Sequence, residues 1–194
     1  MNRLTACALV TLSFAACAPD AATAPGSTPA MDPTMNPSTP SALDAARTAL
    51  LQETREATER YSDEAVARAD GFEPVGGCVS SPLGGMGVEY VNRDRMDMTL
   101  DVRRPEALLY VPEGDRMRLV AVKFMTPVLR EGVPYTGADV PEDNVAPVLF
   151  GQTLYGPVSS GVRGEPWRWE LYAWVWRTNP DGTFAPWNRD VTCP

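Results

Sequence analysis

The apolar run Trp167–Arg177 near the C-terminus constrains the fold more than any other part of this sequence. In an extended strand, successive side chains point to opposite faces of the sheet. One face of the run would carry Trp169, Leu171, Ala173 and Val175, and the other Tyr172, Trp174 and Trp176. Because both faces are apolar, the run predicts a central strand covered on both sides, or a strand with one face lining a pocket.

Similar short apolar runs, punctuated by Gly and Pro, follow Gly71, and they predict further antiparallel strands. These runs are Ala107–Val111, Arg118–Met125 and Pro147–Leu154. From Ser41 to Ala69, apolar residues recur instead at helical spacing, which predicts a long amphipathic helix that could break near Ser62 and Asp63. The predicted fold class is therefore α+β. We expect an N-terminal amphipathic helix packed on a curved antiparallel sheet of four or five strands, with long loops and one disulfide.

The N-terminus, residues 1–16, has the pattern of a cleavable signal peptide. One basic residue, Arg3, precedes an apolar run that ends in small residues just before Cys17. This run is too short to span a bilayer, which requires about 20 apolar residues. Phe14–Cys17 resembles the lipobox of bacterial lipoproteins, and the resemblance implies that Cys17 is lipidated. The alternative is ordinary cleavage after Ala18, which would place Pro19, a residue without a backbone N–H, directly after the cleaved bond.

The lipobox predicts a protein that is secreted across the inner membrane and lipid-anchored in the bacterial cell envelope, with its domain in the periplasm or at the cell surface. Residues 17–40 comprise the lipidated cysteine and a Pro-, Ala- and Thr-rich stretch that predicts a disordered tether. Residues 41–194 have the length of a single globular domain. The chain carries 17 basic and 25 acidic residues and a net charge of −8, which argues against nucleic acid as a partner.

Two cysteines, Cys78 and Cys193, remain in the predicted domain. An even pair in an oxidising compartment predicts one disulfide. The alternative is a metal site with two thiolate ligands, which would need further ligands such as imidazole, and the sequence contains no His. The lack of His also excludes Ser–His–Asp and Cys–His catalytic devices. We therefore predict no catalytic residue, no metal and no cofactor.

Polar and aromatic side chains on the predicted strands are the candidates for ligand binding. Glu89 and Glu170 form a carboxylate pair that could perform acid–base chemistry if burial raised the pKa of one member. All five Trp residues lie near the C-terminus, where they could line a pocket or fill the core. The candidate binding residues are Glu89, Tyr90, Asn92, Gln152, Trp174 and Trp176.

Two glycine-rich stretches, Gly76–Cys78 and Gly84–Gly87, lie in the first half of the domain. A phosphate-binding loop would require a following helix and usually a Lys, so we interpret both stretches as tight turns beside the disulfide. Asn179–Gly182 (NPDG) predicts a β-turn with Pro at its second position. A calcium loop would require the EF-hand spacing and its terminal bidentate Glu.

Several short segments between Ala57 and Cys193 are distinctive when they are taken in combination. They are Tyr61 with Ala69–Phe72 (ADGF), Gly85–Asn92 (GMGVEYVN), Arg104–Tyr110 (RPEALLY), Leu119–Val122 (LVAV), Leu149–Gln152 (LFGQ), Trp174–Phe184 (WVWRTNPDGTF) and Val191–Cys193 (VTC). On these segments the chain resembles an uncharacterised family of secreted bacterial domains. The resemblance supports the predicted fold and disulfide, and it implies no known reaction.

The resemblance also bears on a possible metal centre. Members of that family tend to carry His where this chain has Ser62, Glu89 and Ala173, and three converging imidazoles would suggest a metal site. Here Glu89 could still act as a ligand, Ser62 would be a poor one and Ala173 cannot ligate.

Two hypotheses of different classes follow. The first is a non-catalytic envelope lipoprotein domain that contacts the membrane through the lipid on Cys17 and binds a small molecule or a protein through an aromatic-lined surface. The alternative is a metal-dependent or carboxylate-based enzyme centred on Glu89. The hypotheses differ in whether Glu89 and Glu170 converge with Trp174 or Trp176 in a concave pocket.

Overall fold

A computed structural model gives the structure of the chain and describes residues 41–139 and 145–194. The predicted signal peptide, Cys17 and the predicted tether lie outside the described residues. Two α-helices come first in the described part, and strands follow. The helices are α1 (Ala42–Thr58) and α2 (Glu64–Ala69), and the strands are β1 (Glu73–Ser81), β2 (Gly84–Val91), β3 (Ala107–Glu113), β4 (Arg116–Pro127), β5 (Leu129–Arg130), β6 (Val133–Pro134), β7 (Val148–Leu149), β8 (Gln152–Thr153), β9 (Tyr155–Val158) and β10 (Arg168–Ala173).

The helix predicted over residues 41–69 is not continuous. Helix α1 ends at Thr58, a 3₁₀ turn spans Glu59–Ser62, and α2 begins after its N-cap, Asp63. The side chain of Asp63 accepts a hydrogen bond from the first turn of α2. The backbone carbonyl of Tyr61 accepts a hydrogen bond from the Tyr110 hydroxyl in the sheet (2.6 Å). This bond from the sheet satisfies a carbonyl that a continuous helix would pair internally, and it explains why the chain turns here.

Six strands form one antiparallel sheet in the order β1-β2-β3-β4-β10-β9, and the sheet is curled into a half-barrel. The α+β class is therefore confirmed, whereas the expected number of four or five strands was wrong. Strand β1 at one edge was missed because Gly76 and Gly77 suggested a turn. Both glycines lie instead within β1 at a bulge, where the register with β2 shifts between Val75 and Val79.

The other predicted strands have mixed outcomes. The runs at Ala107–Val111 and Arg118–Met125 are confirmed as β3 and β4. The run Pro147–Leu154 is not one strand, because β7 and β8 form a small separate hairpin around Phe150. Phe150 has a φ of 55°, and its buried ring packs on Phe124 with 5.5 Å between centroids. Burial of this aromatic ring offsets the cost of the left-handed backbone.

The sheet has two buried faces. We call the face that carries the main core the helix face, because Leu50, Leu51 and Val66 of the helices pack on it. Its strand residues include Val88, Tyr90, Leu108, Tyr110, Val122, Phe124, Trp169, Leu171 and Ala173. The opposite, or second, face carries a smaller apolar cluster of Leu109, Val111, Ala121, Tyr172, Trp174 and Val191. Cover on both faces confirms the prediction of a central strand for β10.

The C-terminal segment, residues 174–194, reaches the second face by docking on β2. The backbones of Gly85 and Asn188 exchange two hydrogen bonds of 3.0 Å each, which adds an isolated bridge beside the sheet. A Cβ atom on Gly84 would collide with the Asn188 backbone, and one on Gly85 would collide with Val191. The stretch Gly84–Gly87 therefore lies within β2 and permits a close approach, and its interpretation as a tight turn was wrong.

The predicted disulfide joins Cys78 in β1 to Cys193, with 5.5 Å between their Cα atoms and 115 residues of sequence separation. This confirms the pairing and excludes a metal site built on the two thiolates. The bond fixes the last residues of the chain to the edge of the sheet beside the Gly85–Asn188 bridge.

Removal of this disulfide should destabilise the domain strongly. We expect Cys193→Ala to lower the free energy of unfolding by about 4 kcal/mol, because the crosslink closes a long loop in the unfolded chain. Urea denaturation under oxidising conditions measures this loss. Cys78→Ala should lose the same amount and the double variant no more than either single one, so additive losses would contradict the assignment.

Candidate functional site

The structure separates the polar candidate binding residues from one another. Glu89 and Tyr90 are neighbours in β2, so Glu89 lies on the second face while Tyr90 is buried on the helix face. Asn92 is also buried, and its side-chain amide donates to the backbone carbonyl of Asp70 (2.7 Å). Gln152 lies apart from these residues in the β7–β8 hairpin. These side chains form no common site.

The two candidate tryptophans are also separated, because β10 ends at Ala173 and the strand pattern stops there. Trp174 is 4% exposed in the apolar cluster of the second face, and its indole N–H donates to the Ala185 carbonyl (2.7 Å). Trp176 packs on the opposite side, against the helix-face core, and its indole N–H donates to the Thr58 hydroxyl (3.0 Å). The expectation that both share one face was wrong.

The carboxylate pair does converge, with a lysine between its two members. Lys123 Nζ lies 2.6 Å from Glu89 Oε1 and 3.2 Å from Glu170 Oε1 on the second face. The Lys123 side chain is 2% exposed and that of Glu170 is 5% exposed. Arg168 Nε donates to Glu170 Oε1 (2.6 Å), and the Tyr172 hydroxyl donates to Glu170 Oε2 (3.0 Å). Two cations and two carboxylates thus balance within one buried cluster.

The electrostatics of this cluster favour the charged state of Glu170. Burial by itself raises the pKa of Glu170, but the charges of Lys123 and Arg168, with the hydrogen bonds from Arg168 and Tyr172, outweigh burial and lower that pKa. Burial also raises the pKa of Tyr172. An acid–base pair needs one carboxyl group whose pKa is raised, and Glu170 is shifted in the opposite direction. The geometry is that of a structural ion-pair network.

A metal centre receives no support from the positions that the family resemblance singled out. Glu89 points to the second face, whereas Ala173 lies in the helix-face core. Ser62 is exposed at the end of the 3₁₀ turn. Throughout residues 41–139 and 145–194, no group of three or more His, Cys, Asp or Glu side chains is placed to hold a metal ion.

Glu106, just before β3, is a buried carboxyl group that the sequence did not single out. It is fully buried, and its Oε2 accepts a hydrogen bond from the Met125 backbone N–H (2.7 Å). Its other oxygen, Oε1, has no hydrogen-bond partner among the described residues. Burial raises the pKa of Glu106 to about 8, and the nearby charge of Asp97 adds to the increase. Glu106 therefore holds its proton well above the pH at which an exposed glutamate ionises.

The best candidate for a binding site is an open cleft that the sequence analysis missed, which we call the tryptophan cleft. It lies between the β1–β2 turn and the C-terminal segment and has a volume of about 390 Å³. Its lining residues are Pro82, Leu83, Asp181, Ala185, Pro186, Trp187 and Arg189. The walls are mainly apolar, while Arg189 Nε donates to Asp181 Oδ2 (2.9 Å) at the one charged part of the lining.

The C-terminal wall of the cleft is held by several hydrogen bonds. The Asn179 side-chain amide donates to the Trp187 carbonyl (2.8 Å), and the Trp174 indole N–H holds the Ala185 carbonyl. Asn188 is fully buried, and its amide donates to a backbone carbonyl of the same segment (3.0 Å). The predicted NPDG turn is confirmed by the hydrogen bond from Gly182 N–H to the Asn179 carbonyl (3.1 Å). The cleft is therefore preformed.

Comparison with known proteins gives no match for this chain among protein-family models, curated proteins or solved structures. The resemblance to a family of secreted domains therefore stays a prediction. Among the described residues, no helix has the length and apolar character that a membrane span requires.

Glu106 makes the stability of the domain depend on pH. The folded state holds a proton that the unfolded chain, with a pKa of about 4.5, releases. The free energy of unfolding should therefore fall as the pH rises from about 4.5 to about 8. Glu106→Gln is neutral at every pH, so it should flatten this slope and raise stability at pH 8 by up to about 4 kcal/mol, at about 1.4 kcal/mol per pKa unit.

Urea denaturation of both proteins between about pH 5 and pH 9 measures the effect. Glu59→Gln is the matched control, because Glu59 is exposed and its substitution should leave the slope unchanged. Equal slopes for the parent protein and Glu106→Gln would show that Glu106 does not hold a proton in the folded state.

Proposed function

We propose that this chain is a non-catalytic lipoprotein of the bacterial cell envelope whose domain binds a small apolar molecule in the tryptophan cleft. The observation that carries the proposal is the cleft itself, an open apolar recess with Trp187 in its wall. The original expectation of an aromatic-lined surface is kept, but the aromatic residue is Trp187 in place of Trp174 and Trp176.

The size and lining of the cleft support a small ligand over a protein. Its volume of about 390 Å³ falls within the usual range of small-molecule sites. The walls formed by Pro82, Leu83 and Pro186 with Trp187 offer contact to an apolar body. The Asp181–Arg189 ion pair offers one polar anchor beside it.

The exposure of Leu83 is a further sign of a ligand. Leu83 is 68% exposed at the tip of the β1–β2 turn and faces the rigid C-terminal wall. Single exposed leucines are common, but here the leucine lies next to an exposed proline and a tryptophan in one recess. A ligand in the cleft would bury this apolar surface, and the preformed wall would lower the entropy cost of binding.

The buried ion-pair network supports a non-catalytic role. Glu89 and Glu170 are occupied by Lys123, and Glu170 is further held by Arg168 and Tyr172. The alternative, an enzyme centred on Glu89, would require this carboxylate to leave its lysine partner and exchange protons with a substrate. Its side chain is 14% exposed, which leaves little room for that contact.

The proposed location rests on the sequence alone. The signal peptide and the lipobox at Cys17 support export across the inner membrane and a lipid anchor in the cell envelope. The anchor would be the contact with the membrane, with the domain in the periplasm or at the cell surface. The acidic composition argues for the lipid over the protein surface as the membrane contact.

Leu83→Asp should weaken ligand binding without disturbing the fold. A charge in the apolar recess is expected to weaken binding of the neutral probe N-phenyl-1-naphthylamine at least about tenfold, which corresponds to about 1.4 kcal/mol. Fluorescence titration of the purified protein measures the affinity. Val133→Asp is the matched control, because Val133 is 62% exposed and lies outside the cleft. Equal affinities for Leu83→Asp and the parent protein would exclude this cleft.

Cys17→Ser should release the protein from the membrane and leave the domain folded, because the tether that the sequence predicts separates Cys17 from the domain. Detergent-phase partitioning of cell extracts distinguishes the lipid-anchored form from the aqueous form. Urea denaturation checks the fold. Retention of Cys17→Ser in the detergent phase would contradict the lipoprotein assignment and leave the tryptophan-cleft proposal intact.

A further inference from the structure

A second open cleft lies on another part of the molecule, between the end of α1 and the β3–β4 hairpin. Arg55 and Ser62 from the helical segment, Trp176, and the start of β4 from Arg116 to Leu119 line this recess, together with Glu113. Its volume is about 400 Å³. We call it the arginine cleft. It shares no lining residue with the tryptophan cleft.

Positive charge dominates the arginine cleft. Three guanidinium groups line it, against the one carboxylate of Glu113, which is paired with Arg118 (3.0 Å). Among the described residues, neither Arg55 nor Arg116 forms an ion pair with a carboxylate. This concentration of positive charge stands out in a chain with a net charge of −8. A recess of this kind attracts anions and raises their local concentration.

The arrangement of Arg55 and Trp176 makes one wall of the cleft rigid. The Arg55 guanidinium lies 4.5 Å from the centre of the Trp176 ring and donates to the Val175 carbonyl (2.6 Å). The indole N–H of Trp176 is fixed by Thr58. Stacking on an aromatic ring leaves the planar edge of a guanidinium able to donate to an oxyanion.

The remaining wall is apolar. Met117 and Leu119 line the cleft from β4 and also pack on the helix-face core. An occupant would therefore meet cations on one side and apolar side chains on the other. Inorganic ions alone would leave the apolar wall in contact with water.

We infer that the arginine cleft binds a small organic anion, with its carboxylate or phosphate between Arg55 and Arg116 and its apolar body against Trp176, Met117 and Leu119. Arginine suits this role because its forked N–H groups match the oxygens of carboxylates and phosphates. The inference is independent of the proposed function, because the tryptophan cleft takes a neutral, apolar ligand through other residues.

The probes are benzoate and phenyl phosphate, titrated by calorimetry into the purified full-length protein at low salt. Benzyl alcohol tests the need for charge and inorganic phosphate the need for an apolar body. Binding of either organic anion, weakened by high salt and at least about tenfold tighter than that of both controls, is the expected result. Failure of both organic anions to bind, or equal binding of benzyl alcohol, would overturn the inference.

Arg116→Ala should weaken binding of the organic anion about tenfold, and Arg116→Lys should weaken it less because the charge is retained. Arg116 is exposed and forms no ion pair among the described residues, so neither substitution should affect folding. Arg163→Ala is the matched control, because it removes one exposed charge that does not line the cleft. Equal losses of affinity for Arg116→Ala and Arg163→Ala would show that the organic anion responds only to the net charge of the protein, and they would overturn the assigned site.

Discussion

The docking of the C-terminal segment on β2 is the constraint on which the rest of the structure depends. The backbone of Asn188 can pair with Gly85 only because β2 has no side chain at this point, and the disulfide to Cys193 then holds the chain end in place. The same segment supplies Trp174 and Val191 to the second face of the sheet. It also forms one wall of the tryptophan cleft. The contacts that dock this segment on β2 therefore also position the candidate site.

Coverage of the second face explains why this domain contains buried charges. Lys123 lies on a face that would be exposed in a simple two-layer fold, and its ammonium group is paired there with Glu89 and Glu170. Such a network adds little net stability compared with apolar packing, but removal of one member is costly. Glu106 is buried in a different way, as a protonated carboxyl group. Without a cationic partner, burial of a carboxyl group costs less free energy when the group is protonated.

Local signals in the sequence predicted local features well. Strands β3 and β4, the NPDG turn and the Cys78–Cys193 pair were all found, since each depends on periodicity, turn chemistry or cysteine count. The sequence allowed for a break in the helix near Ser62 and Asp63, but it did not place the end of α1 at Thr58. The reason is that Tyr61 and Tyr110, which share a hydrogen bond at the break, are far apart in sequence. Both clefts were missed for the same reason, because each is built from segments that only the folded chain brings together.

The two edge strands of the sheet have a consequence for association between molecules. An open sheet edge with free backbone N–H and C=O groups is a template for pairing with another chain and for aggregation. Here β1 carries Pro74 and a bulge at its glycines, and β9 carries Pro157. Proline lacks the backbone N–H that a neighbouring strand would require, and a bulge interrupts a regular ladder. Both edges of this sheet therefore discourage aggregation by strand addition, even where many copies of the protein lie close together.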